Sequence, residues 1–151
     1  MVGRLLLSKL SHSAFLDGDD VWQINPFEVT EITKGIVERN VASILRNYLE
    51  ANYEYVILAW VLHQQSITDR LLSRLDDLKF NVHVFTLIAD EGVLIRRLQT
   101  NKGRGTDPNM ALDRLRQSLK LRNEKIDTTM LGPEVIVDRI LNTLSEVPRV
   151  N

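Results

Sequence analysis

Apolar and polar positions follow two rhythms along this chain, one helical and one extended, and the two alternate. Val2, Leu5, Leu6 and Leu10 recur at helical spacing, so residues 2–10 predict an amphipathic helix. Residues 13–17 form a short apolar run with the length of a buried strand. Asn25-Pro26 interrupts the pattern, because the residue before a proline is pushed out of helical geometry. A helix over roughly 29–51 follows, with Val37, Val41, Ile44, Leu45 and Tyr48 as its stripe. Residues 55–62 (YVILAWVL) are almost continuously apolar, as in a strand covered on both faces. Ser66-Ile-Thr-Asp69 has the form of a capping box with Asp in place of Glu and predicts a helix over 66–75. Residues 80–88 read as a third strand, and Asp90 is placed to cap a helix running to 99. Asp107-Pro108 supplies an N-cap and a first-turn proline for another helix. Residues 124–127 predict a last strand, and Gly132-Pro133-Glu134 opens a final helix to about 144.

Helices and strands in alternation imply a parallel sheet with helices on both faces, here in a single domain spanning 1–151. Ligands of such folds bind beyond the carboxyl ends of the strands. Those ends carry Asp17 to Asp20, His63-Gln64-Gln65, Asp90-Glu91 and Thr128-Thr129.

Composition narrows the function classes. At 151 residues and 44% hydrophobic, the chain is long and apolar enough for one real core. The formal net charge is -1, so no global basic field points to nucleic acid. Cysteine is absent, which removes disulfides, thiolate zinc sites and a cysteine nucleophile, and is compatible with a cytoplasmic protein. The longest strictly apolar run, Val56 to Leu62, is far too short to span a bilayer. The basic, amphipathic residues 1–10 suit a helix on a sheet, and also the form of a transit peptide.

The densest chemistry is Asp17-Gly18-Asp19-Asp20, three carboxylates where the first strand ends. Such a cluster suits a divalent cation, a basic ligand or proton transfer; it also suits an ordinary acidic turn. Asp17 and Asp19 project to the same side of an extended segment. Asp20, Trp22, Asn40, His63 and Gln64 are candidate ligand contacts. Asn40 lies three residues after Val37 and four before Ile44, on the apolar stripe, where an amide needs partners. Arg97, and Arg104 between Gly103 and Gly105, are guanidinium groups able to close over phosphates. His83 reads as a strand histidine, and Arg39 as a solvated cation.

In layout and local signatures the chain resembles the small P-loop kinases: the shikimate, gluconate and nucleotide kinase group. Residues 1–10 resemble the helix after the phosphate loop, and Phe15-Leu-Asp-Gly-Asp-Asp20 the second strand with its Asp-x-Asp. Residues 100–110 look like the lid, and Ile126-Asp-Thr-Thr129 like the last strand and adenine loop. The resemblance implies a three-layer αβα P-loop fold and an ATP-dependent phosphotransferase using Mg2+. It implies Asp19 as the base at an acceptor hydroxyl and Asp17 on the magnesium side. It also implies Arg104 as the lid cation, with Arg97 and Thr128 near the nucleotide. The acceptor would be a small molecule bearing a hydroxyl or a phosphate.

The departure from that family is the phosphate loop itself: G-x-x-x-x-G-K-[ST] does not occur in the sequence, nor does the central strand before it. A fragment or mis-started reading, a degenerate paralogue or a misleading resemblance would each explain this. Strands flanking a missing one present unpaired edges, so a homodimer is among the expected states. Two other classes stay open. Asp17-Gly-Asp-Asp-Val21 fits the D-x-D-x-[TV] of haloacid-dehalogenase-like phosphatases, with Asp17 as nucleophile and Asp19 as acid/base. A non-catalytic P-loop-like binding module is the other.

Overall fold

The computed structural model describes residues 1–100 and 107–146. Two compact units divide the chain. The first comprises residues 1–62 and 66–80; the second comprises residues 63–65 and those from 81 onward.

The first unit holds α1 (Val2–Lys9), β1 (Ser13–Asp17), a 3-10 turn (Gly18–Val21), α2 (Glu31–Glu50) and β2 (Tyr55–Ala59). It also holds nearly all of α3 (Gln65–Leu72). β1 and β2 pair in parallel, with Ser13 opposite Tyr55 and Asp17 opposite Ala59. Side chains alternate across β1, so Phe15 and Leu16 face opposite ways. Leu16 joins Val37, Val41, Ala42, Leu45, Leu71 and Leu75 in the buried core. On the other face Phe15 meets α1. The Arg4 guanidinium lies 5.6 Å from its ring centre, and a Cβ on Gly3 would stand 2.3 Å from its ring. Gly3 is therefore what lets α1 approach the strand.

α2 starts at a reciprocal cap in which Thr30 and Thr33 exchange backbone and hydroxyl hydrogen bonds. Its buried face is Val37, Glu38, Val41, Ala42 and Leu45, whereas Ile44 and Tyr48 are half-buried. β2 is shorter than the apolar run predicts. Its pairing with β1 ends at Asp17 opposite Ala59, short of the predicted end at Leu62. All five β2 residues are half-buried instead of buried on both faces.

The second unit pairs β3 (Phe85–Ile88) with β4 (Glu124–Asp127), again in parallel, Phe85 opposite Glu124 and Ile88 opposite Asp127. With a partner of four residues, the 80–88 strand contracts to its last four. His83 thus lies ahead of the strand and is exposed. α4 (Glu91–Thr100), α5 (Pro108–Ser118) and α6 (Pro133–Ser145) complete the unit, around a core that includes Leu115, Ile126, Ile136, Val137 and Ile140. Asp90 and Asp107 cap α4 and α5 through their side chains, as the sequence indicates. The architecture is mixed α/β with parallel sheets. Among the described residues no helix is long and apolar enough to cross a membrane.

Candidate acceptor site

β1 ends in Asp17, and the 3-10 turn after it carries Asp19 and Asp20. Asp17 closes the strand and caps the turn, its Oδ1 accepting the Asp19 N–H at 3.1 Å. The turn must pass under the Trp60 indole. A Cβ on Gly18 would come within 2.3 Å of Trp60 Cγ, so residue 18 has no room for a side chain. Gly18 is buried, while Asp19 and Asp20 remain exposed on the far side.

Asp20 lines a cavity of about 460 Å3 with Leu16 and Val21, and with Asn40, Ser43 and Ile44 of α2. Leu16, Val21 and Ile44 make an apolar wall; the Asp20 carboxylate and Asn40 amide supply the polar groups. No cation lines it. This composition fits a neutral or positively charged molecule that offers hydroxyl or amine donors to Asp20 and lays an apolar face on the wall. Asn40 is exposed at the cavity rim, not embedded in the apolar stripe as the spacing suggests. The buried arc of α2 runs through residues 37, 38, 41, 42 and 45, and at about 100° per residue position 40 falls just beyond its edge.

Asp17 and Asp19 are not among the cavity's lining residues. Trp22 is half-buried against the core cluster, its ring 6.1 Å from that of Phe27, which is 66% exposed. Trp22 therefore packs on the core, and the exposed ring is Phe27.

In the second unit, the carboxyl ends of β3 and β4 are tied together by side chains. The Thr128 hydroxyl donates to the Ile88 carbonyl at 2.8 Å, and the Thr129 hydroxyl accepts the Asp90 N–H at 2.9 Å. Arg97 reaches across from α4. Its Nη1 donates to Thr128 Oγ1 at 2.9 Å and its Nη2 to the Thr128 carbonyl at 2.7 Å. The structure thus joins Arg97 and Thr128. The Thr129 hydroxyl donates to Asp127 at 2.5 Å and, with the Thr129 N–H, holds that carboxyl below the usual carboxylate range. Gln64 donates its side-chain amide to Gln117 at 3.0 Å, and His63 is half-buried. Arg104, with most of the predicted lid, lies outside the described residues.

Solved structures share this fold. One is a tunicamycin resistance protein from Deinococcus radiodurans, with a TM-score of 0.68 at 19% identity over 99% of this chain and 93% of that one. Another is a sugar kinase from Janibacter sp. HTCC2649, with a TM-score of 0.72 at 15% identity over 97% of this chain and 87% of that one. No family model and no curated protein matches the chain. The fold is kinase-like; at these identities the likeness speaks for the fold alone.

Among the described residues no three His, Asp or Glu side chains are grouped to hold a metal, and the Arg97 fork is occupied by Thr128.

Sequence reasoning missed Ser43 and Gly18. Ser43 stands three residues after Asn40 on α2, a spacing that places both on one side of a helix, and that was the available signal. Gly18 between two aspartates looks like turn chemistry; its true constraint, Trp60, is distant in sequence.

Proposed function

We propose that this chain is a phosphotransferase of the small-molecule kinase type and that the cavity in its first unit receives the acceptor. That cavity carries the reading. It opens at the carboxyl end of a parallel strand, where ligands of α/β folds bind, and it joins one carboxylate and one amide to an apolar wall.

Asp20 and Asn40 orient the acceptor. Asp19 takes the proton of the acceptor hydroxyl, leaving the oxygen nucleophilic toward a phosphoryl group. Asp17 fixes the turn that presents Asp19 and is the carboxylate nearest in role to a metal. Arg97 and Thr128, bonded to each other, belong to the nucleotide side, and Arg104 to a closing lid. Mg-ATP, as in the resembled kinases, is the phosphoryl donor; when bound, the metal neutralises phosphate charge. The cavity's lack of lining cations favours neutral or cationic acceptors over sugar acids.

Isothermal titration with Mg-ATP tests the reading, on this chain and on a form extended by any coding sequence upstream of Met1. Phosphoryl transfer to a panel of nucleosides, sugars and amino sugars, followed by 31P NMR, is the companion assay. Saturable nucleotide binding and transfer to a neutral or cationic acceptor are the expected results. No nucleotide binding by the extended form would remove the kinase assignment.

A further inference from the structure

α2 serves a second cavity beside the first, and its chemistry is opposite. This one, of about 240 Å3, is lined by Arg39, Ala42, Ser43, Arg46 and Arg74. Three of the five lining residues are arginines and none is acidic. Arg46 is already committed. It donates to Asp77 Oδ1 at 2.6 Å and Oδ2 at 2.8 Å, to Glu50 at 3.5 Å, and to the Arg74 carbonyl at 2.8 Å. Those bonds neutralise Arg46, and they fix the backbone that carries Arg74. Arg39 and Arg74 have no ion-pair partner among the described residues. The three guanidinium groups outnumber the two carboxylates that reach them.

Arg39 and Arg74, two cations without an ion-pair partner among the described residues, border one small cavity, which leaves it positive and suited to an anion. Planar forks suit oxyanions with several acceptor oxygens, and each charge-assisted bond is roughly twice as strong as a neutral one. The Ser43 hydroxyl is spent on the Arg39 carbonyl at 2.9 Å, so the arginines are the available donors. We infer that this cavity is a binding site for a phosphate-type dianion, either inorganic phosphate or the terminal phosphate of a monoester. Its volume suits a phosphate group with a few waters. Ser43 lines both cavities, so a phosphate seated here lies next to the acceptor site. The anion site itself does not depend on the kinase reading.

The test is a titration of the full chain with inorganic phosphate at low ionic strength, read by calorimetry and by backbone amide shifts. Saturable binding that perturbs the amides around residues 39–46 and 74 is expected. Arg39→Gln with Arg74→Gln should weaken it about tenfold or more, the loss of two charge-assisted contacts. Both residues are exposed, so the double variant should keep the parent's circular dichroism and melting temperature. Arg139→Gln on α6 should leave phosphate affinity unchanged. Glycerol 3-phosphate separates the two sources. Tighter binding than inorganic phosphate, lost on Asn40→Ala, assigns the site to the phosphate of a larger ligand spanning both cavities; equal affinity assigns it to free phosphate. Absence of saturable binding at millimolar phosphate overturns the inference, as does binding that the double variant leaves unchanged.

Discussion

A Cβ added to Gly18 would stand 2.3 Å from Trp60 Cγ, so the aspartate turn and the end of β2 are locked by steric contact. Glycine matters here for its missing side chain, since no glycine among the described residues has positive φ. Gly18→Ala forces the indole or the turn to move, and overpacking of this kind costs roughly 1–3 kcal/mol. Thermal unfolding should show a lower midpoint. Trp60→Leu in the Gly18→Ala background should recover part of the loss if the indole is the obstacle; an additive further loss would show that it is not.

Glu38 is buried on α2 and accepts a fork from Arg70 on α3, Nη2 to Oε1 at 2.7 Å and Nε to Oε2 at 3.0 Å. The two ends of this pair are unequal: the Glu38 side chain is 9% exposed and that of Arg70 51%. Deleting the arginine strands a buried carboxylate, whereas deleting both charges strands nothing. Arg70→Ala should therefore cost about 1–3 kcal/mol, below the range for fully buried pairs because water still reaches the arginine side. Glu38→Leu with Arg70→Met should be closer to the parent than Arg70→Ala alone. Urea denaturation of the three variants checks the order.

Acid should remove the stabilisation that Asp77 contributes. Its bond to Arg46 holds the Asp77 carboxyl below the ordinary carboxylate range, while Arg46 is raised and stays charged throughout. A carboxyl with a lowered folded-state pKa binds fewer protons in the folded chain than in the unfolded one. Its contribution is therefore complete above the unfolded value near 4 and fades as pH falls through the folded value. Asp77→Asn should lower the urea midpoint at pH 7, and the gap from the parent should close toward pH 3. A gap that does not change with pH would show that the Asp77 charge contributes nothing.

The sequence legibility of this fold stops where long-range pairing begins. Local signals placed the elements: Asp90 and Asp107 cap the helices they precede, and residues 124–127 are a strand with the predicted bounds. The lengths of β2 and β3 differ from the prediction because hydropathy records burial, whereas a ladder ends where its partner ends, as β2 does opposite Asp17. The cavity beside Asp20 and Asn40 was half visible. Asp20 and Asn40 stood out as polar groups at strand-end and stripe positions, but which of the three aspartates faces the cavity depends on how the turn rolls under Trp60. The arginine cavity was invisible, since Arg39, Arg46 and Arg74 come from two separate segments and each alone looks solvated.

The division of labour among the aspartates gives the last prediction, which rests on the proposed kinase activity. Asp20 lines the cavity and Asp19 does not, so binding and proton transfer should fail separately. Asp20→Asn and Asn40→Ala should raise the KM for the acceptor with a smaller change in kcat. Both residues are exposed, so melting temperature should hardly move. Asp19→Asn removes the base and should lower kcat by roughly 10²–10⁴-fold with acceptor affinity retained. Asp17→Asn weakens the acceptor that holds the Asp19 N–H, so it should lower kcat and loosen the turn together, visible as faster amide exchange at residue 19. Steady-state kinetics of the four variants in the phosphoryl-transfer assay decide the matter. If Asp20→Asn lost kcat and Asp19→Asn lost only affinity, the base would be Asp20, directly on the cavity wall.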